Sequence, residues 1–293
     1  MAGTVDYVRK TLETSYALIK ARGQEIFMAT LKISVVQVAL GLAALLVIGG
    51  LAVLLLGASI TETITSGTLA PSLMRNLGVG IAIALPIIAI AALAGAVLKS
   101  VSFNIVDNAA AGRTTDLVAC TRKNMLPVVK LYLVLFVITI VLAVPAILSF
   151  LIGALGGMAG VAAVCILWLV SFVALVLLAL CAQFSTAEVV LNGKGPVEAI
   201  RSSLALVRGS IGGVILLDVA VVVVAMAVGM VSGIVQRILG LALQVFAVGG
   251  GAALVAGFVV YAICMLVIYS IVGAISETLI VPLVYNFWKG KKG

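Results

Sequence analysis

Long apolar runs alternate along the chain with short stretches that carry most of its charge. Six of these runs are long enough to cross the hydrocarbon core of a bilayer as an α-helix, which takes about 20 residues. The short alternating segments typical of a membrane β-barrel are not seen. The pattern therefore predicts an all-α fold with six membrane spans, at residues 29–57, 77–103, 127–155, 159–190, 210–236 and 252–287. Several of these runs exceed the bilayer thickness, so we expect those helices to tilt or to project beyond the lipid.

The stretch from Gly193 to Arg208 predicts an amphipathic helix. Gly195 and Pro196 form a typical helix start, because proline is favoured at the first helical position. Apolar side chains follow at intervals of three and four residues along one face, at Val197, Ile200, Leu204 and Val207. Basic side chains recur every seven residues along the other face, at Lys194, Arg201 and Arg208. Such a helix is suited to lie among lipid headgroups, so we expect the basic face to contact anionic lipids or a partner protein.

Basic segments also precede the other two pairs of spans. The N-terminal segment carries Arg9 and Lys10 beside an apolar stripe of Val5, Val8, Leu12, Tyr16 and Ile19. The segment GRTTDLVACTRKN is a shorter copy, and VDYVR, TDLVA and VEAIR share an acidic residue in second place. We therefore predict one integral membrane domain, residues 1–293, built from three repeats of a cytoplasmic interfacial helix with a transmembrane hairpin, at about 1–107, 108–192 and 193–293. The alternative is chance similarity among apolar segments of low complexity.

The balance of charge predicts the orientation in the membrane. Only 10% of the residues are charged and 64% are hydrophobic, whereas a soluble domain has about 25% charged residues. All Lys and Arg residues except Arg75 and Arg237 lie at the termini, in the second and fourth connections, or near those ends of the spans. The positive-inside rule then places both termini in the cytoplasm of a cell-membrane protein. The net charge of +8 would face anionic headgroups rather than nucleic acid, which needs a soluble basic domain.

Ionisable residues within the predicted spans are the other candidates for function, because burying a charge in lipid is costly. We take as candidates Asp218, Glu277, Glu188, Lys130 and Lys32. In one hypothesis they form a polar chamber that binds an ion, a proton or a headgroup. In the other, which we favour, ion pairs fix the helix packing, because all these groups lie toward one side and a transporter places its site near the midplane.

Asp218 is the clearest of these residues. Ala225, Gly229 and Gly233 follow it on roughly the same face, and small residues four apart are typical of closely packed membrane helices. The spacing predicts that Asp218 points into the bundle, where Lys32 or Lys130 could pair with it.

Catalytic and metal-binding patterns are missing from the sequence. Histidine is absent, which removes the usual proton shuttle and metal ligand. The four cysteines are scattered, and the sequence has no P-loop, dinucleotide fingerprint or HExxH motif. We therefore expect a non-enzymatic protein with no catalytic residue, cofactor or metal ion.

Two short windows carry a family resemblance. The segment GPVEAIRSSLALVRGSIGGVILL resembles the region before the fifth span in the membrane domain of glycerophosphodiester phosphodiesterases, and in related uncharacterised membrane proteins of bacteria and archaea. The shared residues are Gly195, Glu198, Ala199, Arg201, Ser203 and Leu204. The C-terminal segment resembles the end of the same domain at Pro282, Tyr285, Lys289 and Lys291. The resemblance implies a six-helix membrane fold. It does not imply phosphodiesterase activity, because the catalytic domain has no counterpart in this chain.

Together these patterns indicate a membrane scaffold or accessory subunit that engages anionic lipids, other membrane protein subunits, or both. The alternative is a transporter of a small solute, an ion or a lipid, with a polar site in the cytoplasmic half. A wet cavity that reaches the midplane would favour the transporter.

The positive-inside pattern predicts that the first connection and the C-terminus lie on opposite sides of the membrane. Cysteines introduced at Ser66 and Gly293, after replacement of the four native cysteines, should react with an impermeant maleimide from opposite faces of sealed vesicles. Reaction of both from the same face would contradict the six-span topology.

Overall fold

The computed structural model describes residues 2–66, 71–155, 157–248 and 251–291. These residues form seven α-helices and no strand. The helices are α1 (Ala2–Ser66), α2 (Pro71–Ala110), α3 (Leu117–Leu155), α4 (Gly157–Asn192), α5 (Pro196–Gly209), α6 (Ile211–Val248) and α7 (Gly251–Gly290). All except α5 are long and apolar enough to cross a membrane, which confirms the predicted all-α fold with six spans. Gly293, which the topology prediction uses, lies outside the described residues.

The spanning helices are longer than the bilayer requires. The longest, α1, has 65 residues and therefore extends over about 97 Å at 1.5 Å per residue. The hydrocarbon core is about 30 Å thick, so a large part of α1 must lie outside it.

Two of the three predicted interfacial segments are helical but continuous with a membrane span. The N-terminal segment continues into the first span as part of α1, and residues 117–123 form the start of α3. The junction in α1 contains no proline and many strong helix formers, so the helix has no reason to stop there. Only α5 stands alone, because Gly193 adopts a φ of +67° before it and Pro196 allows a new helix to start.

The chain divides into two compact units. The first contains Met1–Ala29, Lys99–Ala227 and Ser276–Gly293, and the second contains Thr30–Leu98 and Val228–Ile275. Within the second unit, polar side chains bridge neighbouring helices: Gln37 Nε2 donates to Gly95 O at 3.1 Å and Gln236 Nε2 donates to Tyr269 Oη at 2.7 Å.

Most of the buried core of the first unit lies at one end of its helices. We call this the basic end and define it as residues 4–29, 100–130, 180–217 and 277–291. Residues 100–109, 180–190 and 281–288 are mostly buried there, and the fully buried aromatic side chains are Phe184, Tyr285 and Phe287. By contrast, at most 17% of the most apolar window of each span is buried.

This uneven burial follows from the two solvents. Lipid tails are as apolar as leucine, so burying a side chain between helices in a bilayer gains no hydrophobic free energy. Outside the hydrocarbon the same side chains must be removed from water.

The space around two glycines in the second unit shows which of them is closely packed against another helix. The prediction that Gly229 meets another helix is wrong, because a Cβ there would have no described atom within 4 Å. A Cβ on Gly273 would lie 3.1 Å from Ser34 Oγ.

We therefore expect Gly273→Leu to destabilise the protein by about 1–3 kcal/mol, the usual cost of overpacking, and Gly229→Leu to have little effect. Thermal unfolding in detergent measures both. A larger loss of stability for Gly229→Leu than for Gly273→Leu would contradict this packing.

Candidate functional site at the basic end

A fully buried carboxylate, Glu188, lies where α4, α5 and α7 meet. Its Oε1 accepts hydrogen bonds from Ser202 Oγ at 2.9 Å and Trp288 Nε1 at 3.1 Å. Its Oε2 accepts one from Asn192 Nδ2 at 2.8 Å and lies 3.3 Å from Lys194 Nζ. A buried charge is tolerated only when it is paired and hydrogen-bonded, and Glu188 has both kinds of partner. The residue therefore ties three helices together.

Lys194 does not belong to the basic face that the sequence predicted. It precedes the first residue of α5, so the seven-residue spacing to Arg201 does not place the two on one helical face. The chain turns at Gly193, whose N–H donates to Val189 O at 3.1 Å, in the manner of a left-handed helix C-cap. This turn brings Lys194 Nζ to Glu188 and to Ser202 Oγ, at 3.0 Å from the latter.

A second polar cluster joins the ends of α2 and α7. Tyr285 Oη donates to Asp107 Oδ1 at 2.6 Å, and Lys289 Nζ donates to Tyr285 Oη at 2.7 Å. Two cations also flank the Asp107 carboxylate, Arg113 at 3.7 Å and Lys289 at 3.9 Å. Both distances exceed that of a hydrogen bond. Because two cations face a single carboxylate, the cluster carries one excess positive charge at the protein surface.

Another acid of the basic end, Glu277, lies in α7. Its Oε2 accepts a hydrogen bond from Ser102 Oγ of α2 at 2.5 Å. Two residues earlier in α2, Ser100 Oγ accepts from Asn124 Nδ2 of α3 at 3.3 Å. The polar residues of α2 therefore connect it to α7 and to α3.

The first turns of α1 are attached to α7 by a polar seam. Tyr7 Oη donates to Phe287 O at 2.7 Å. Ser15 Oγ lies 3.2 Å from Pro282 O and accepts from Asn286 Nδ2 at 3.0 Å. The ammonium group of Lys291 lies 4.2 Å from the centre of the Tyr7 ring, a cation–π distance.

The remaining predicted residues divide into two groups. Arg201, Arg208, Arg9 and Lys10 are exposed, and of these Arg9 pairs with Glu13 at 2.9 Å. Lys32 and Lys130 are also exposed and Asp218 is partly exposed. Among the residues that the structure describes, no ion pair or hydrogen bond involves these last three side chains. The proposed pairing of Asp218 with a lysine is therefore wrong for the described part of the chain.

The site that results combines three hydrogen-bonded carboxylates with exposed cations. The carboxylates are those of Glu188, Asp107 and Glu277, and the exposed cations include Arg201, Arg208 and Lys10. Sequence reasoning identified Glu188 and Glu277 but not the roles of Asp107, Tyr285 and Trp288. The available signal was that acids and aromatic residues occur in the last turns of α2, α4 and α7, beyond the apolar runs. Within the described ranges, no three His, Cys, Asp or Glu side chains are arranged to hold a metal ion.

Comparison of the chain with protein-family models, with curated proteins and with solved structures finds no match. The resemblance to the membrane domain of glycerophosphodiester phosphodiesterases stays a prediction.

The hydrogen-bonded setting of Glu188 predicts a large effect of Glu188→Gln. The substitution keeps the side-chain volume but leaves Lys194 without its anion. Breaking a buried ion pair costs about 3–5 kcal/mol, and we expect the lower end of this range because Lys194 is 26% exposed. The matched control is Glu198→Gln in α5, since Glu198 is exposed. In detergent, Glu188→Gln should lower the unfolding temperature and Glu198→Gln should leave it unchanged. Equal unfolding temperatures of the two variants would contradict the role of Glu188.

Proposed function

We propose that the protein is a non-enzymatic membrane scaffold or accessory subunit that engages anionic lipids with its basic end. The observation that carries this proposal is the separation of charges at that end. Glu188 and Glu277 are held in internal contacts, while Arg201, Arg208 and Lys10 are exposed and have no anionic partner among the described residues. Exposed cations near an anionic leaflet each contribute about 1 kcal/mol to membrane attraction.

The same proposal includes a location. The basic end faces the cytoplasmic leaflet of the cell membrane, where anionic lipids are concentrated, and both termini lie in the cytoplasm. The proposed partners are membrane lipids and other membrane protein subunits that contact the exposed apolar spans.

Asp218 supports a second candidate function. It lies within the apolar part of α6, is partly exposed and has no partner among the described side chains. An ionisable residue in this setting is a candidate for transport of an ion, a small solute or a lipid.

The double substitution Arg201→Gln with Arg208→Gln tests the lipid proposal. We expect retention of anionic lipid in native mass spectrometry to fall by roughly 30-fold, because about 2 kcal/mol of attraction is lost. Added salt should weaken binding by the unsubstituted protein in the same direction.

Lys194→Gln is the matched control, because Lys194 is basic but is paired with Glu188. It should lower the unfolding temperature and leave lipid retention largely unchanged. Unchanged lipid retention in the double variant, together with loss of uptake by Asp218→Asn in reconstituted vesicles, would replace the scaffold with a transporter.

A further inference from the structure

The ends of α2 and α4 repeat one local arrangement. Each has an acidic residue, a glycine five residues later and a cation directly after the glycine, at Asp107, Gly112 and Arg113 and at Glu188, Gly193 and Lys194. Both glycines have a positive φ, of +69° and +67°, so each helix ends in a left-handed turn. We call these segments the Asp107 turn (residues 107–113) and the Glu188 turn (residues 188–194).

The acid has the same two kinds of partner in both turns. The cation of each turn folds back toward its own acid, with a nitrogen–oxygen distance of 3.7 Å in the Asp107 turn and 3.3 Å in the Glu188 turn. Helix α7 supplies an aromatic donor to each acid, from Tyr285 to Asp107 and from Trp288 to Glu188. Because the two turns share this frame, a group that one has and the other lacks is informative.

The Glu188 turn is closed by the protein itself. Ser202 of α5 lies between its charged groups, since Ser202 Oγ donates to Glu188 Oε1 at 2.9 Å and accepts from Lys194 Nζ at 3.0 Å. The carboxylate is fully buried and most of the lysine side chain is covered. The hydroxyl oxygen of a neighbouring helix therefore satisfies the cation beyond its ion pair.

The Asp107 turn has no such hydroxyl. After Arg113 the chain enters α3 at Leu117, and the Asp116 carboxylate is used to cap α3, where its Oδ1 accepts from two backbone N–H groups. Among the residues that the structure describes, no acceptor is hydrogen-bonded to the Arg113 guanidinium, and 64% of the side chain is exposed. Its donors are therefore available to a ligand.

A second cation joins the Asp107 turn from α7. Lys289 Nζ donates to Tyr285 Oη at 2.7 Å and lies 3.9 Å from Asp107 Oδ1. An ammonium group has three donors, so this hydrogen bond leaves two of them free, and 61% of the side chain is exposed. Arg113 and Lys289 thus lie beside the two oxygens of one carboxylate, and both have unused donors.

A third cation, Arg22 of α1, reaches the same turn. Its Nη2 lies 3.6 Å from a Cβ built on Gly112, while its Nη1 donates to Glu25 at 2.9 Å. Three cations therefore face two carboxylates, those of Asp107 and Glu25. The one excess positive charge is matched by the single negative charge of a phosphodiester.

We propose that the Asp107 turn binds one phosphate group, held by Arg113 and Lys289 on the solvent side of Asp107. A guanidinium fork fits two phosphate oxygens, and an ammonium group binds phosphate as a point charge. Asp107 repels an anion and does not touch the phosphate. It is a positioning residue that keeps the two cations together, and the phosphate supplies the acceptor that Ser202 supplies in the Glu188 turn.

A phosphate group of this kind can belong to a lipid headgroup or to a free anion, since the same two cations suit both. If it belongs to a lipid, the inference rests on the proposed function and names one of its binding sites. If it is a free anion, the inference stands without the proposed function.

Thermal unfolding of the full-length protein in a nonionic detergent tests this proposal, because a ligand that binds only the folded protein raises the unfolding temperature. Inorganic phosphate and dihexanoyl phosphatidylglycerol are titrated separately, at an ionic strength held constant with potassium chloride. Dihexanoylglycerol, which has the acyl chains without the phosphate, is the control ligand. The readout is the concentration at which half of the stabilisation is reached.

We expect one or both phosphate compounds to raise the unfolding temperature, and Arg113→Gln or Lys289→Gln to weaken this binding by roughly 10-fold, the usual loss for a hydrogen bond to a charged group. Arg113→Lys keeps the charge without the fork and should fall between the two. Arg122→Gln is the matched control, because Arg122 is an exposed cation of α3 outside the turn, and it should leave binding unchanged.

The proposal is overturned if neither phosphate compound stabilises the protein, if dihexanoylglycerol stabilises it equally, or if Arg122→Gln weakens binding as much as Arg113→Gln does. Stabilisation by inorganic phosphate alone identifies a free anion as the ligand, and stabilisation by phosphatidylglycerol alone identifies a headgroup. Binding through Arg113 without any retention of anionic lipid would leave this site standing and refute the proposed function. Lipid retention that depends on Arg201 and Arg208, with no phosphate binding through Arg113, would do the reverse.

Discussion

An apolar side chain gains nothing by leaving lipid for the space between two helices, but it gains a great deal by leaving water. This constraint explains the distribution of the core in this protein. The membrane-spanning windows expose most of their surface, while the segments around Phe184 and Phe287 are almost fully buried. In the first unit, specific helix association is therefore concentrated at the basic end.

Polar contacts determine the arrangement of that end. The helices that meet there carry three carboxylates, and each of these accepts a hydrogen bond from a side chain on another helix. Glu188 joins α4 to α5 and α7, Asp107 joins α2 to α7, and Glu277 joins α7 to α2. Because an unpaired buried charge is far more costly than a misplaced apolar side chain, these contacts restrict the packing more strongly than the aromatic residues do.

The same contacts sort the basic residues into two classes. Lys194 is used inside the protein, whereas Arg201 and Arg208, on the helix that follows, are exposed. A short helix held by Glu188 through Ser202 and the preceding Lys194 can present its two arginines in a fixed position. The structural role of one cation and the proposed lipid-binding role of the other two can therefore be separated by substitution, although all three looked equivalent in the sequence.

The sequence by itself determined the elements. Apolar runs longer than the bilayer is thick can only be helices, and the Gly-Lys-Gly-Pro segment separates α5 from α4, since glycine adopts the positive φ and proline starts the helix. Only the tertiary structure decided which faces meet. Helical periodicity shows that Val5, Val8 and Leu12 share a helix side, as do Asp218 and Gly229. In a membrane protein, however, lipid and protein are both apolar surroundings, so the same periodicity suits contact with either. The pairs Asp107–Tyr285 and Gly273–Ser34 depend on how helices distant in the sequence approach one another, which no local pattern predicts. The pair Lys194–Glu188 depends on how the chain turns at Gly193 between α4 and α5.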